Sequence, residues 1–134
     1  MINNDITFLL LRLGIAISFF CHGLVRLPKL AKFSSGIIKT FEDSMIPNIM
    51  VIPFSYILPI AEFSIGLLLI LGLFTKQSLI AGSIVMLLLI FGTTMIENFD
   101  ALSSQLIHLT FFAVLLSYLQ YNNYSVDKKF RKNN

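Results

Sequence analysis

The stretch Val51–Phe74, VIPFSYILPIAEFSIGLLLILGLF, is apolar almost throughout and carries one charged side chain, Glu62. The hydrocarbon core of a bilayer is crossed by about 20 apolar residues of helix, so this segment alone is long enough to span it. A charge at mid-span is costly, roughly 2.5–3.5 kcal/mol on insertion scales. Glu62 is therefore expected to face a partner, a cavity or a substrate rather than lipid. Pro53 falls in the first turn of such a helix, where a missing N–H costs little. Pro59 lies inside it, leaves the carbonyl of Ser55 without its usual donor, and is expected to kink the helix just before Glu62.

Working outward, three further stretches read the same way. A first span covers about Ile6–Val25, a third about Ser78–Ile96 and a fourth about Leu102–Tyr121. Lys76-Gln77 and the acidic Glu97-Asn98-Phe99-Asp100 form short turns, which make successive spans antiparallel. The expected fold is an all-α integral membrane protein, a four-helix transmembrane bundle forming one domain over residues 1–134. Pairs of small residues, Gly14 and Ser18, Ala61 and Ser64, and Ala81 and Gly82, offer points of close helix approach. The first span does not read as a cleaved signal peptide, because Arg12 interrupts its apolar run and no small-residue cleavage site follows.

Between spans one and two, Leu30, Phe33, Ile37, Ile38, Phe41 and Met45 recur at helical spacing, with Lys29, Lys32, Lys39, Glu42 and Asp43 among them. Residues 28–46 thus read as an amphipathic helix at the interface or capping the bundle, ended by Pro47. Residues 122–134 form a polar, basic tail.

Composition agrees with this class. Hydrophobic residues make up 56% of the 134 and charged ones 13%, with a mean hydropathy of +0.82. The net charge of +3 does not point to nucleic acid, since the basic residues gather at span edges and in the tail. Lys76, Lys128, Lys129, Arg131 and Lys132 share the side of the termini, against Arg26, Lys29, Lys32 and Lys39 opposite. By the positive-inside rule this places the termini in the cytoplasm of a cell whose inner membrane holds the chain. The lone Cys21 excludes an internal disulfide and a dithiol cycle within the chain. In an apolar run it reads as a small buried hydrophobe.

Four ionisable groups lie inside the spans: Arg12, His22, Glu62 and His108. At 1.5 Å rise per residue they lie about 9, 24, 16 and 20 Å from the terminal side, respectively. Arg12 needs a counter-charge, and Glu62 is the only acidic residue deep in a span, so an Arg12–Glu62 pair is expected. His22 and His108 fall within a turn or two of Glu62, with Thr93, Thr94 and Gln105 at similar depth. Each histidine alone suits hydrogen-bonded packing. As a pair beside a carboxylate they suit proton relay or a quinone head group, because imidazole titrates near neutral pH. Two histidines and a carboxylate also suit a metal, but no local metal-ligand spacing is present and none is expected.

Arg12, then Phe20-Cys21-His22-Gly23-Leu24-Val25-Arg26-Leu27, then Pro59 through Thr75 with its Glu-x-x-x-Gly-x-Leu-Leu-x-x-Gly-Leu pattern, resemble the DoxX family, as does Ile80–Gly92. Arg12, His22, Gly23, Glu62 and Gly66 match that family's pattern, while His108 lies in its more variable fourth span. The resemblance implies a small four-span membrane protein associated with redox chemistry. Relatives include a subunit of a thiosulfate:quinone oxidoreductase and members of membrane complexes that handle thiol or oxidative stress. The expectation is a quinone-linked or redox-associated subunit of a membrane oxidoreductase system. Its catalytic candidates are Glu62, His22 and His108, and its ligand-binding candidates are Arg12, His22, Glu62, Thr93, Gln105 and His108. Quinone is the one cofactor this reading admits. The partners are the lipid bilayer, a redox protein supplying the electrons, and further copies of the chain in a homo-oligomer. The alternative is a non-catalytic membrane module that binds a partner protein or a small lipophilic ligand.

Overall fold

The computed structural model describes residues 3–132. Residues 1–2 and 133–134, at the two ends of the expected domain and tail, lie outside the described residues, as does the side chain of Lys132. The chain folds as a four-helix membrane bundle with a fifth helix between spans one and two, and no strand occurs among the described residues. The spans are α1 (Asn4–Arg26), α3 (Asn48–Leu71), α4 (Thr75–Met95) and α5 (Phe99–Ser117). Helix α2 (Leu30–Thr40) follows α1 through a single 3-10 turn at Leu27–Lys29, and a short α6 (Val126–Lys132) closes the chain.

The sequence dictates much of this locally. Asn3 caps α1 by accepting the Ile6 N–H, with Asp5 in the first turn and Arg26 in the last, as the helix dipole favours. The buried face of α1 is the stripe Phe8, Arg12, Ile15, Ala16, Phe19 and Gly23. Opposite faces carry Leu10, Ile17, Leu24 and their counterparts Ile57, Ile60, Ile84 and Leu87, all exposed. Apolar groups on the outside as well as in the core suit a bundle solvated by lipid. The core gathers Phe19, Leu69, Leu79, Met86, Phe112 and Leu115, with Phe19 and Phe112 edge-on at 5.0 Å.

Helix boundaries shift from the sequence expectation for identifiable reasons. Pro47 is the N-cap of α3, which begins at Asn48 rather than Val51, so Pro53 falls in the second turn. Helix α3 nevertheless continues through Pro53 and Pro59. It ends at Leu71, because Gly72 adopts φ 67° and Leu73 N–H bonds the Leu68 carbonyl at 2.9 Å, a Schellman closure. The turn is thus Gly72–Phe74, and Lys76 and Gln77 belong to the first turn of α4. Helix α5 starts three residues early and stops at Ser117, followed by a 3-10 turn at Leu119–Tyr121. Helix α2 occupies only Leu30–Thr40 of the expected 28–46 and stops well before Pro47, with Phe41, Glu42 and Ser44 bonding back in turns. Its buried Ser34 hydroxyl meets that of Ser55 at 2.6 Å, so α2 lies against the first half of α3.

The close helix approach is at α1 and α3, and it is reciprocal. A Cβ on Gly23 would lie 2.4 Å from the Phe63 backbone nitrogen, and one on Gly66 would lie 2.3 Å from that of Phe20. Phe20-x-x-Gly23 and Phe63-x-x-Gly66 are the same pattern run in opposite directions, and the two rings meet at 4.9 Å. Of the small residues proposed from sequence, Gly14 faces open space and Gly82 lies under the Phe112 ring rather than under a backbone.

Candidate functional site

The α1–α3 register decides which buried charges meet. Because Gly23 lies opposite Phe63 and Gly66 opposite Phe20, Glu62 falls beside the last turn of α1 and Arg12 beside the end of α3. Arg26 therefore pairs with Glu62, Nη1 to Oε2 at 2.6 Å. The expected Arg12–Glu62 pair does not form. Fourteen residues of helix separate Arg12 from Arg26, roughly 21 Å at the α-helical rise. Depth counted from span ends could not register this, because α3 begins earlier than its apolar run and Arg26 lies within α1 rather than beyond it.

Arg12, 2% exposed, is instead taken up by the C-terminal segment. Its Nη1 donates to Asn122 Oδ1, and its Nη2 donates to the Tyr124 carbonyl at 2.8 Å. Asn122 Nδ2 in turn donates to Thr75 Oγ1 at 3.0 Å. Asp127 accepts the backbone N–H groups of Phe74 and Thr75, both at 2.8 Å, and so caps α4 from a distant part of the chain. Arg12 is thus separated from the other site candidates and holds the tail to the bundle.

The remaining candidates converge. His22, Glu62, Thr93, Gln105 and His108 line one cavity of about 280 Å³, together with Arg26 and apolar walls that include Phe19, Leu58 and Met86. Helix α2 contributes Phe33 and Ile37. All four spans thus supply a polar group, and α2 covers one side. Glu62 is 4% exposed, its charge met by Arg26, whose guanidinium lies 4.7 Å from the centre of the Phe33 ring.

The hydrogen bonds place one proton on each imidazole. His22 Nδ1 lies 2.7 Å from the Ser18 carbonyl and His108 Nδ1 lies 2.7 Å from the Ser104 carbonyl. A carbonyl only accepts, so each Nδ1 donates to it, and Nε2 is the ring nitrogen left to face other groups. For His108 that nitrogen is met by the Ser18 hydroxyl at 2.9 Å. For His22, Nε2 makes no hydrogen bond among the described residues. The two rings stand edge-on with centres 6.3 Å apart. Thr93 and Gln105 are hydrogen-bonded across α4 and α5 at 2.8 Å. Among the described residues, no group of three or more His, Cys, Asp or Glu side chains is placed to hold a metal.

Sequence reasoning missed Arg26, Ser18 and Ser104. The signal was helical spacing: Ser18, His22 and Arg26 follow one another at i, i+4, and Ser104 precedes His108 by the same step. Cys21, expected to be buried, is exposed, because it lies on the far side of α1 from the Phe19–Gly23 stripe.

A family model described as DoxX matches residues 7–97, a range that takes in nearly all of α1 and the whole of α2, α3 and α4. Comparison with curated proteins and with solved structures gives no match.

Proposed function

The chain belongs to the DoxX family, and from that premise we propose that it is a redox-associated membrane protein whose cavity takes the head group of a lipid-soluble quinone. The observation that carries this reading is a cavity in the half of the bundle away from the termini, with apolar walls, one imidazole nitrogen without a partner and an ion pair whose carboxylate is buried. At about 280 Å³ it stands at the small end of ligand sites, which run from roughly 300 to 1,000 Å³. That is room for a ring rather than for an isoprenoid tail. A bound quinone would supply the electron and proton carrying capacity. His22 Nε2 would accept a hydrogen bond from a quinol hydroxyl, and the Gln105 amide would donate to a quinone carbonyl. Electrons would pass to or from a separate redox protein, in an assembly that accommodates further copies of this chain.

His22→Phe and His108→Phe keep a ring in place while removing the polar nitrogens. His22→Phe is expected to weaken binding of a decyl-substituted benzoquinone, measured on purified protein in nanodiscs, by about tenfold, the loss of one hydrogen bond to the ligand. His108→Phe should weaken it by less, since both His108 nitrogens are held by Ser18 and Ser104. Unchanged affinity in both variants would remove the quinone from this cavity. The second reading, a non-catalytic module for a partner or small lipophilic ligand, is favoured by one observation. Arg26 already occupies the Glu62 carboxylate, which gives that pair an architectural role.

We further place the chain in the inner membrane with its termini in the cytoplasm. Lys76, Lys128, Lys129 and Arg131 gather on the terminal side, whereas on the opposite side Arg26 is drawn into its ion pair. In a Cys21→Ser background, a membrane-impermeant thiol reagent added to spheroplasts should label a Lys32→Cys variant and spare a Lys76→Cys variant. The reverse pattern would invert the topology.

A further inference from the structure

The terminal face of the bundle holds a second cavity, of about 490 Å³, between the α3–α4 turn, the Leu119–Tyr121 turn and α6. Lys76, Lys128 and Arg131 all line it. The only ion pair among the described residues is Arg26–Glu62, so none of these three cations has a counter-ion in the described chain. The one carboxylate on the cavity wall, Asp127, has both oxygens engaged by the backbone N–H groups of Phe74 and Thr75. The Gln77 and Gln120 amides add neutral hydrogen-bonding groups to the same wall.

Position identifies the kind of anion. The cavity lies where α3 ends and α4 begins, at the edge of the spanning segments. Phe74 and Phe130, which also line it, are 57% and 63% exposed. Large exposed aromatics beside unpaired cations suit a surface where acyl chains meet phosphates. A phosphate dissolved in water has no use for those rings.

We propose that Lys76, Lys128 and Arg131 form a binding site for the phosphate of an anionic phospholipid headgroup, with Phe74 and Phe130 set against the upper part of its acyl chains. The site is distinct from the quinone cavity, stands independently of that reading, and fixes the C-terminal segment against the leaflet on the terminal side.

Native mass spectrometry of the full chain, titrated with phosphatidylglycerol and with phosphatidylcholine, tests it. One phosphatidylglycerol should be retained in preference. Each juxtamembrane cation is worth about fivefold in affinity, so Lys76→Gln with Lys128→Gln and Arg131→Gln should weaken retention on the order of a hundredfold. Lys29→Gln with Lys32→Gln and Lys39→Gln removes the same charge from the opposite side and should keep that lipid. Equal losses in the two triple variants, or none in the first, would overturn the site. Should the first triple variant fail to fold, Lys76→Gln alone, at an exposed side chain, should lose about fivefold, and an unchanged affinity would overturn the proposal. Inorganic phosphate should leave the lipid in place; displacement by it would show a site for free phosphate and overturn the lipid assignment.

Discussion

Arg26→Met is expected to lower the stability of the folded bundle by about 3 kcal/mol, because it leaves the buried Glu62 carboxylate without its half-buried partner. Glu62 is 4% exposed, and Arg26 is the only cation within ion-pair distance of it among the described residues. The variant leaves a carboxylate among the apolar side chains that line the cavity. Combining Arg26→Met with Glu62→Leu removes both charges and should restore most of the loss, since a buried pair replaced by apolar groups of similar volume is often neutral or better. Unfolding in mixed micelles of rising dodecyl sulfate content measures both. A double variant as unstable as the single one would show that the stability resides in packing against Phe33 rather than in the pair. The double variant also separates the two functional readings. If it folds and still binds the benzoquinone, the pair is architecture alone; if it folds and binding is lost, the pair belongs to the ligand site.

Gly66→Ala and Gly23→Ala are each expected to destabilise the bundle by about 1–3 kcal/mol, at the upper end of that range or beyond it. The added methyl would meet a backbone nitrogen on the facing helix at 2.3 or 2.4 Å. A flexible side chain could swing away from such a contact, whereas a helix backbone yields only if α1 and α3 separate. Separation would also stretch the Arg26–Glu62 contact, so either variant should weaken quinone binding although neither glycine lines the cavity. Gly14→Ala is the matched control, because a Cβ there meets nothing within 4 Å. Loss of stability in Gly14→Ala equal to that in Gly66→Ala would point to lipid packing instead of the seam, since helix propensity alone favours alanine.

The four spans were legible because apolar length is a direct readout of bilayer thickness. The convergence of His22, Glu62, Thr93, Gln105 and His108 on one cavity also followed from depth, since residues at one level of a small bundle cannot be far apart. What depth does not carry is register and rotation. Those are set by the Gly23–Phe63 and Gly66–Phe20 contacts, which bring Arg26 to Glu62 and leave Arg12 about four turns away along α1. Rotation likewise turned Cys21 outward. The true partners of Arg12 were hidden for another reason. Asn122 lies 110 residues away in a segment that reads as a polar, basic tail, and its side chain is uncharged. No search for a counter-charge finds a neutral amide and a backbone carbonyl.

The same separation orders events during synthesis. Arg12 enters the membrane on the first span, yet the groups that accept from its Nη1 and Nη2 are made after the four spans α1, α3, α4 and α5. Until then the nascent chain carries an unmatched cation in α1, held near the terminal side where it can reach water and headgroups. A late contact thus holds one of the earliest charges to be inserted, so the bundle is finished only once the segment after α5 has been made.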